Sequence, residues 1–424
     1  MTAALSILYA NETNDKTLSV KRELISFIVF CFNLFMVGFF LNANYALFEI
    51  NPSAYSKEIL NMEKIKAEIE NNSSAWIEAK TAKYSRYKLS YPVSGIIHAK
   101  GLAPVNGSSV RVNVLEINAK INPSLEIKPQ TASNTLNSRV KIKTTAEKTG
   151  AIAAINGGYF KPQTGVPLGA LVIDNEVLTG PIYERAGFSI NKDGSYSTGK
   201  TNITFSLKNE NIDFKIDNIN QPRMLSTYTL LYTDKWGKIS PPPPKYGSVA
   251  LILNGEITKI SKTAFEIPKG GYIISAPDSE INKIKNEKKL KFITHYPKHF
   301  ENAVHIVSGG PYLLKEGEIY IDVKEEKLSS ITGRNPRTLI GYTKENDLIL
   351  VTVDGREASS IGMSLYEAAK YMQKLGCFEA INLDGGSSSV MYVNGKITNS
   401  PPVTGGIPIS GIITITSNEK ISKL

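Results

Sequence analysis

The sequence predicts an α+β fold, with a mixed or antiparallel, sheet-rich single domain and few helices. Segments that alternate apolar and polar residues, such as Arg111–Ala119, show the period-2 pattern of half-buried strands. Glycine-containing turns recur between such segments, as is typical of hairpins. The clearest helix, Ser364–Gly376, combines a Ser-x-x-Glu capping box with a terminal glycine. Because helices do not alternate regularly with the strands, the pattern indicates an α+β domain.

An apolar segment near the N-terminus predicts export. Residues 1–23 are polar and are predicted to form a cytoplasmic tail, because Lys21 and Arg22 precede the uncharged run 24–41. That run is long enough to span a bilayer, and small residues follow it. We therefore predict a signal peptide or a membrane anchor over residues 24–46, and both alternatives remain open. Either one predicts a protein exported across the cytoplasmic membrane of a bacterium, secreted or anchored in the membrane.

The rest of the chain divides into segments that differ in residue composition and in the pattern of apolar residues. Residues 47–109 begin with a polar, Lys/Glu-rich stretch and are predicted to form a helical stalk or linker. The main domain is predicted over residues 110–424, with a divergent or inserted region at about 201–300. Within that region Pro241–Pro244 predicts a rigid loop, because four consecutive prolines fit neither a helix nor a central strand.

Composition and charge limit the kinds of partner, metal and cofactor that the protein is expected to bind. The net charge is +10, which favours anionic partners, but no recognition helix or zinc-finger spacing supports nucleic-acid binding. Two cysteines provide neither a disulfide framework nor a thiolate metal site, and Cys377 is predicted to be a buried apolar residue. His295 and His299 are separated by Tyr-Pro-Lys and do not form a helical zinc motif, while His98 and His305 are predicted to be structural. We predict no cofactor and no metal, and the sequence does not determine an oligomeric state.

Five glycine-containing turns follow apolar segments and together suggest a site. Each turn alone is compatible with a simple hairpin or with tight packing. As a set they carry three arginines, three asparagines, two aspartates and several serines. They are Asn156–Phe160, Ser308–Leu313, Gly333–Thr338, Asp354–Arg356 and Asn382–Ser389.

These residue types suit the binding of a phosphate group. Arginine binds phosphate through two parallel hydrogen bonds and keeps its proton, so Arg334, Arg337 and Arg356 are predicted to clamp it. Successive glycine amides followed by serine can form a concave anion-binding nest at the Asn382–Ser389 turn. A carboxylate would then serve for proton transfer or for stabilising a cation. We expect Asp384 in this role first, and Asp354 second.

The ordered motifs AAINGGYF, SGGPYL, RNPRT followed by IGY, VTVDGR and GCFEAINLDGGSSSVMYVNG resemble the phosphodiester glycosidase family. The resemblance covers roughly residues 110–415, and bacterial members are often described as exopolysaccharide biosynthesis proteins. The candidate catalytic residues are Asp384, Asp354 and Asn156. The candidate substrate- and phosphate-binding residues are Arg337, Arg356, Arg334, Thr338, Gly385, Gly386, Ser387, Ser388, Gly157, Gly158, Tyr159, Gly309 and Gly310.

The resemblance implies hydrolysis of a sugar-1-phosphodiester in a phosphate-linked glycan or envelope polymer. The sequence departs from the family at one place, since Gly406 and Ile407 stand where relatives often carry Glu-Arg. This departure favours the alternative of a non-catalytic cell-surface glycan-binding or exopolysaccharide-assembly protein. A third alternative, a metal-dependent phosphodiesterase, is disfavoured because the sequence has no His/Asp metal motif. Which sugar, which aglycone and which anomeric outcome apply do not follow from the sequence.

Overall fold

Antiparallel strand pairing organises the chain. The computed structural model describes residues 73–417. Its helices are α1 (73–83), α2 (Ile142–Lys148), α3 (Asp278–Ile284) and α4 (Leu365–Lys374). Its strands are β1 (Lys88–Val93), β2 (Ile96–Val105), β3 (Ser108–Ile117), β4 (Leu125–Thr131), β5 (Ala153–Asn156), β6 (Leu171–Ile173), β7 (Glu176–Thr179), β8 (Ala186–Asn191), β9 (Tyr196–Lys200), β10 (Thr204–Lys208), β11 (Asp213–Ile216), β12 (Asn218–Ile219), β13 (Leu230–Tyr232), β14 (Gly247–Leu253), β15 (Glu256–Ser261), β16 (Tyr272–Pro277), β17 (Lys291–His295), β18 (Ala303–Ser308), β19 (Tyr312–Lys315), β20 (Glu318–Ile319), β21 (Arg337–Thr343), β22 (Leu348–Val353), β23 (Cys377–Asn382), β24 (Met391–Val393), β25 (Lys396–Ile397) and β26 (Gly411–Ser417).

The largest sheet, here called the central sheet, has eight strands in the order β1-β2-β3-β22-β21-β23-β19-β20. Every neighbouring pair in it is antiparallel. Four smaller sheets have the orders β25-β24-β5-β26-β4, β7-β6-β18-β8-β9, β12-β13-β16-β14-β15 and β11-β10-β17. Among the strand pairs of residues 73–417, only β12 and β13 run parallel. Few helices and mostly antiparallel sheets agree with the predicted α+β class.

Both faces of the central sheet are buried. Ile349, Val351 and Val353 pack on one face in a core that includes helix α4. The alternate residues Leu348 and Leu350 pack on the other face against β4, β5, β24 and β26. This division follows from the period of two in a strand, and it explains why β22 is buried along its whole length and apolar except for Thr352.

Helix α4 begins and ends as the sequence predicts. The Ser364 side chain accepts a hydrogen bond from the Glu367 amide, and the Glu367 side chain accepts one from the Ser364 amide. The chain leaves the helix through Gly376, whose φ of +82° is a left-handed conformation that glycine adopts without strain.

The segment before residue 110 differs from the predicted stalk. Helix α1 lies within the predicted helical stretch, but residues 88–105 form β1 and β2 of the central sheet. Sequence reasoning missed this hairpin because Pro92 and Gly95 interrupt its alternation. The strands pair all the same, since β2 forms a ten-residue antiparallel ladder with β3.

Helix α1 is fastened to the central sheet by buried acids. Lys80 forms ion pairs with Glu116 at 2.6 Å and with Asp347 at 2.7 Å. The Tyr84 hydroxyl donates to Glu116, and the Trp76 indole donates to Asp347 at 3.0 Å. Lys80 of the helix thus supplies the counter-charge that these buried carboxylates require.

The region at about 201–300 builds two sheets that share a core with the rest of the domain. Phe205, Ile252 and Ile274 of this region pack with Val172 and Ile306 from the neighbouring sheet. The four prolines lie in irregular backbone between β13 and β14, which confirms the predicted loop.

The described residues, 73–417, belong to one compact unit. Within the part of the chain that the structure describes, no helix has the length and apolar character needed to cross a bilayer. The predicted cytoplasmic tail, the signal peptide or anchor at 24–46 and the first part of the stalk all lie outside the described residues.

Candidate active site

The candidate site lies at one edge of the central sheet, where several strands begin or end. Antiparallel register places Arg337, the first residue of β21, opposite Val353, the last residue of β22. The end of β23 lies at the same edge, because Leu339 is opposite Asn382. The turns that follow these strands are therefore neighbours, although they are far apart in the sequence.

Asn156 joins this edge to the end of β5. Its side-chain Nδ2 donates to the Asp384 carbonyl oxygen at 2.7 Å. Its Oδ1 accepts from the Thr338 hydroxyl at 2.7 Å and from the Val390 amide at 3.1 Å. Asn156 and Thr338 are both fully buried, so the structure gives them the role of holding the Asp384 turn in place rather than of touching a substrate.

The residue Asp384 is partly exposed at this edge. It accepts a hydrogen bond from the Gly385 amide at 2.9 Å. Burial raises the pKa of Asp384 to about 6, although Ser388, Gly385 and the charge of Arg185 favour the ionised form. A carboxyl group with this pKa is ionised at neutral pH but held near the range used in proton transfer.

The glycine amides that follow Asp384 do not form the predicted open nest. The Gly385 amide donates to the Asp384 carboxylate itself, and the Gly386 amide donates to the Pro336 carbonyl at 2.9 Å. The Ser388 amide donates back to the Gly385 carbonyl at 3.2 Å, because the turn tightens into a short 3₁₀ segment. These amides orient the carboxylate instead of offering themselves to an anion.

Asp354, the second predicted carboxylate, is 1% exposed and has several partners. Its Oδ1 accepts from the Ser400 amide at 2.9 Å and from the Asn399 side chain at 3.2 Å, while Arg111 donates to its Oδ2 at 3.2 Å. Asn399 also donates to the Ser389 carbonyl oxygen. Asp354 therefore supports the turn after β23 through Asn399, and its carboxylate does not face solvent.

Two of the three predicted phosphate-binding arginines are bound by other groups of the protein, one at the surface and one in the interior. Arg334 forms a two-pronged ion pair with Glu367 of the capping box of α4. Arg337 is 2% exposed and donates to the carbonyl oxygens of Met363 and Ile331. Burial lowers the pKa of Arg337 to about 10, which leaves it charged at neutral pH.

Arg356 is exposed beside the Asp384 turn, and unlike Arg334 its guanidinium contacts neutral side chains rather than a carboxylate. Its Nη1 approaches the Ser387 hydroxyl at 3.4 Å, and its Nη2 donates to the Asn335 side chain at 3.1 Å. A Cβ added to Gly386 would lie 3.0 Å from Nη2, so the glycine makes room for the guanidinium. Of the three predicted arginines, Arg356 is the one placed to meet a ligand.

The remaining predicted glycines permit close approach of backbones. A Cβ on Gly158 would lie 2.1 Å from the Ser308 carbonyl oxygen, and one on Gly309 would lie 2.5 Å from the Asn382 carbonyl oxygen. Gly157 donates to the carbonyl oxygen of Gly411. These contacts bring the strand ends together and leave no room for side chains.

Tyr159 connects two of the predicted turns. Its hydroxyl donates to the Gly310 carbonyl oxygen at 2.8 Å and accepts from Asn382 Nδ2 at 2.9 Å. Burial raises the pKa of this phenol, and the charge of Asp384 adds to the shift. Tyr159 is therefore neutral at the site.

The sequence analysis missed two charged residues near Tyr159. The Arg185 guanidinium lies over the Tyr159 ring at 5.0 Å, and its Nε donates to the Glu326 carbonyl oxygen at 3.4 Å. The Glu326 carboxylate is fully buried and accepts from the amides of Ala186 and Tyr312. Burial raises the pKa of Glu326 to about 7. Neither residue stands in a glycine-rich turn, so the pattern used to find the site contained no signal for them.

Metal-ligating residues do not cluster at this edge. Across residues 73–417, no group of three or more histidine, cysteine, aspartate or glutamate side chains is arranged to hold a metal ion. Cys377 is buried, as predicted, and His305 accepts from the Asp174 amide at 3.1 Å away from the Asp384 turn.

Comparison with known proteins confirms the resemblance seen in the sequence. The family model described as phosphodiester glycosidase matches residues 246–416. The match includes four of the five glycine-containing turns. It also includes residues 246–300, which belong to the region predicted from the sequence to be divergent or inserted.

Individual relatives align over short segments. The bovine N-acetylglucosamine-1-phosphodiester alpha-N-acetylglucosaminidase is 32% identical over 109 residues, which are 23% of this chain and 20% of the bovine protein. The SPbeta prophage-derived uncharacterized protein YomE of Bacillus subtilis (strain 168) is 36% identical over 83 residues, 20% of this chain and 13% of that protein. The chain thus spans a fifth or less of the length of these relatives.

A solved structure is similar in fold to this chain over a longer part of its length than the family model matches. A hypothetical protein from Synechocystis superposes with a TM-score of 0.69 at 23% identity, over 76% of this chain and 62% of the other. This likeness supports the fold of the part that the family model does not match.

Proposed function

Because the chain matches the phosphodiester glycosidase family over residues 246–416, we propose that it hydrolyses a sugar-1-phosphodiester and releases a free sugar and a phosphomonoester. The observation that carries the proposal is the Asp384 turn, which combines a family motif with a carboxylate whose pKa is raised to about 6 at a partly exposed residue. N-acetylglucosamine is the first sugar to test, because the bovine relative is named for it.

The bond to be broken joins the anomeric carbon to a phosphate oxygen. The departing phosphomonoester has a second pKa of about 6, so it leaves without full protonation at neutral pH. Stabilisation of the phosphate by fixed cations then matters more than a strong general acid. Exposed Arg356 suits this task, and Asp384 suits either the support of a cationic anomeric carbon or the activation of water.

The neighbouring residues act by holding these two groups. Asn156 and Thr338 fix the backbone of Asp384, and the Gly385 amide orients its carboxylate. Because the pKa of Asp384 is raised to about 6, its ionised fraction falls below that pH. We expect kcat/KM to decline on the acid side with a midpoint near this value.

The experiment is a substrate panel incubated with the purified protein. The panel contains N-acetylglucosamine-1-phosphate esters, UDP-N-acetylglucosamine and the corresponding glucose compounds, and released reducing sugar is measured. We expect release from at least one phosphodiester and none with Asp384→Asn. Release that is equal in both proteins, or absent from the whole panel, would contradict the proposal.

The second candidate is a glycan-binding protein without catalysis. The observation in its favour is the Gly406-Ile407 pair in place of Glu-Arg. Gly406 has a φ of +77°, and a Cβ added there would lie 3.3 Å from Val390, next to the candidate turn. Saturable binding of an intact phosphate-linked glycan without any turnover would favour this candidate over the hydrolase.

We also propose that the protein is exported and acts on glycans of the bacterial cell envelope or on exopolysaccharide. The support is the apolar run 24–41 with basic residues before it. Cell fractionation followed by N-terminal sequencing tests this proposal. Recovery of the full-length chain from the cytoplasm alone would contradict it, and a new N-terminus near residue 46 would identify a cleaved signal peptide.

A further inference from the structure

Arg185 is a buried cation with an unused hydrogen-bond donor. The residue is 8% exposed, and its Nη1 has no hydrogen-bond partner within residues 73–417. An unsatisfied buried donor costs free energy, more so when the group is charged. Such a group in a fold is therefore a candidate for binding something that the protein alone does not supply.

The position of Arg185 connects it to the Asp384 turn. Its guanidinium lies over Tyr159, and the Tyr159 hydroxyl bonds to Asn382, two residues before Asp384. Arg356 contacts Ser387, three residues after Asp384. Arg356 thus touches the turn directly, Arg185 is linked to it through Tyr159, and the charge of Arg185 favours ionisation of the Asp384 carboxyl.

The surroundings of Arg185 are built to hold it. Its Nε donates to the backbone of Glu326, whose carboxylate accepts from Ala186, the residue after Arg185. Tyr159 and Tyr183 both lie against the guanidinium, at 5.0 and 5.6 Å from their ring centres. The Tyr183 side chain is 46% exposed and has a left-handed backbone with φ of +52°, so it forms the solvent-side cover of the arginine.

From this geometry we propose that Arg185 is a second anion-binding residue of the candidate site, and that it holds the phosphate of the substrate together with Arg356. The identity of the anion rests on the proposed function. Arg334 and Arg337 do not fill this role, because their guanidinium groups bind Glu367 and backbone carbonyls. The Tyr183 ring moves aside when the anion reaches Nη1.

The test is the binding of inorganic phosphate, measured by isothermal titration calorimetry without any turnover. The test variant is Arg185→Lys, which keeps the charge but loses the planar fork of donors. The matched control is Arg223→Lys. Arg223 is a half-buried arginine that donates to Ser275 in another sheet. We expect the dissociation constant for phosphate to rise about 10-fold or more in Arg185→Lys and to stay unchanged in Arg223→Lys.

Phosphate binding that is equal in the wild type and Arg185→Lys would overturn the inference, as would a wild type that binds no phosphate. If phosphate binding depends on Arg185 while no sugar phosphodiester is cleaved, the inference holds and the proposed hydrolase fails. If Arg185→Lys does not fold, the exposed Tyr183→Ala variant replaces it. Removal of the cover should then tighten phosphate binding about threefold or more, and an unchanged affinity would overturn the proposal.

Discussion

The turns at Asp354 and Asp384 leave the same edge of the central sheet, but their carboxylates have different surroundings. Asp354 receives hydrogen bonds from Arg111, Asn399 and Ser400 and is buried. Asp384 is partly exposed, and its turn is held mainly through its own backbone by Asn156. The difference shows how one motif type serves two purposes. The Asp354 carboxylate is occupied by hydrogen bonds within the fold. The Asp384 turn is fixed through its backbone, so its carboxylate remains available to a ligand.

Asp384→Asn should have the largest effect on activity. The amide keeps the shape of the side chain but removes the negative charge, so we expect kcat to fall about 10³-fold or more. The fold should remain, because Asn156 binds the backbone oxygen of residue 384 rather than its side chain. Steady-state kinetics on the cleaved substrate and circular dichroism measure the two effects. A variant with wild-type kcat would show that Asp384 is only a turn residue.

Asp354→Asn is the matched variant and should affect stability instead. It removes the charge that accepts from Arg111 and leaves a less suitable partner for the Ser400 amide. We expect the free energy of unfolding in urea to fall by about 1–3 kcal/mol, with kcat of the folded protein within roughly tenfold of the wild type. Loss of activity without loss of stability would show instead that Asp354 takes part in catalysis, and the two turns would then have the same role.

Arg356→Lys extends the comparison to the arginines. Lysine keeps the cation but loses the two-pronged geometry, so we expect kcat to fall about 10²-fold. Arg334→Lys is its control. Arg334 is exposed and pairs with Glu367, and a solvent-exposed ion pair of this kind contributes little to stability. Equal kinetic losses in both variants would contradict the separate roles given to these residues.

The last expected effect, on stability and not on activity, is a gain in stability from Asp384→Asn at high pH. The pKa of Asp384 is about 6 in the folded protein, against an ordinary value of 3.8, so its ionised form is disfavoured by folding. Above pH 6 the wild type carries this penalty, and the variant should be more stable by about 1–3 kcal/mol. Well below the ordinary value of 3.8, at about pH 3, the carboxyl is protonated in both the folded and the unfolded chain, and the difference should vanish. Urea denaturation at about pH 3 and pH 8 measures it, and a variant less stable at pH 8 would contradict the assignment.

The sequence supplied the fold class and the location of the candidate site, because both depend on local patterns. The alternation in β3 and the capping box of α4 indicate elements that form from neighbouring residues. The β1–β2 hairpin was missed because its pairing with β3 depends on tertiary contacts that outweigh Pro92 and Gly95.

The roles of the charged residues could be predicted only in part. Glycine and arginine motifs indicate where polar groups gather, but they do not reveal which of those groups bind one another. Arg337 and Arg356 look equivalent in the sequence, yet one is inserted among carbonyl oxygens and the other is exposed. Arg185 has no motif around it. Its place beside Tyr159 follows from the packing of β8 against β18 and β9, which the sequence does not encode locally.

Helix α1 is attached far from the candidate site. Trp76 contacts Asp347, just before β22 begins, whereas the candidate site follows the other end of β22. A six-residue strand spans about 20 Å, so helix α1 and the candidate site lie at opposite edges of the central sheet. A long polymeric glycan bound at the candidate site would therefore meet the edge of the domain that helix α1 leaves uncovered.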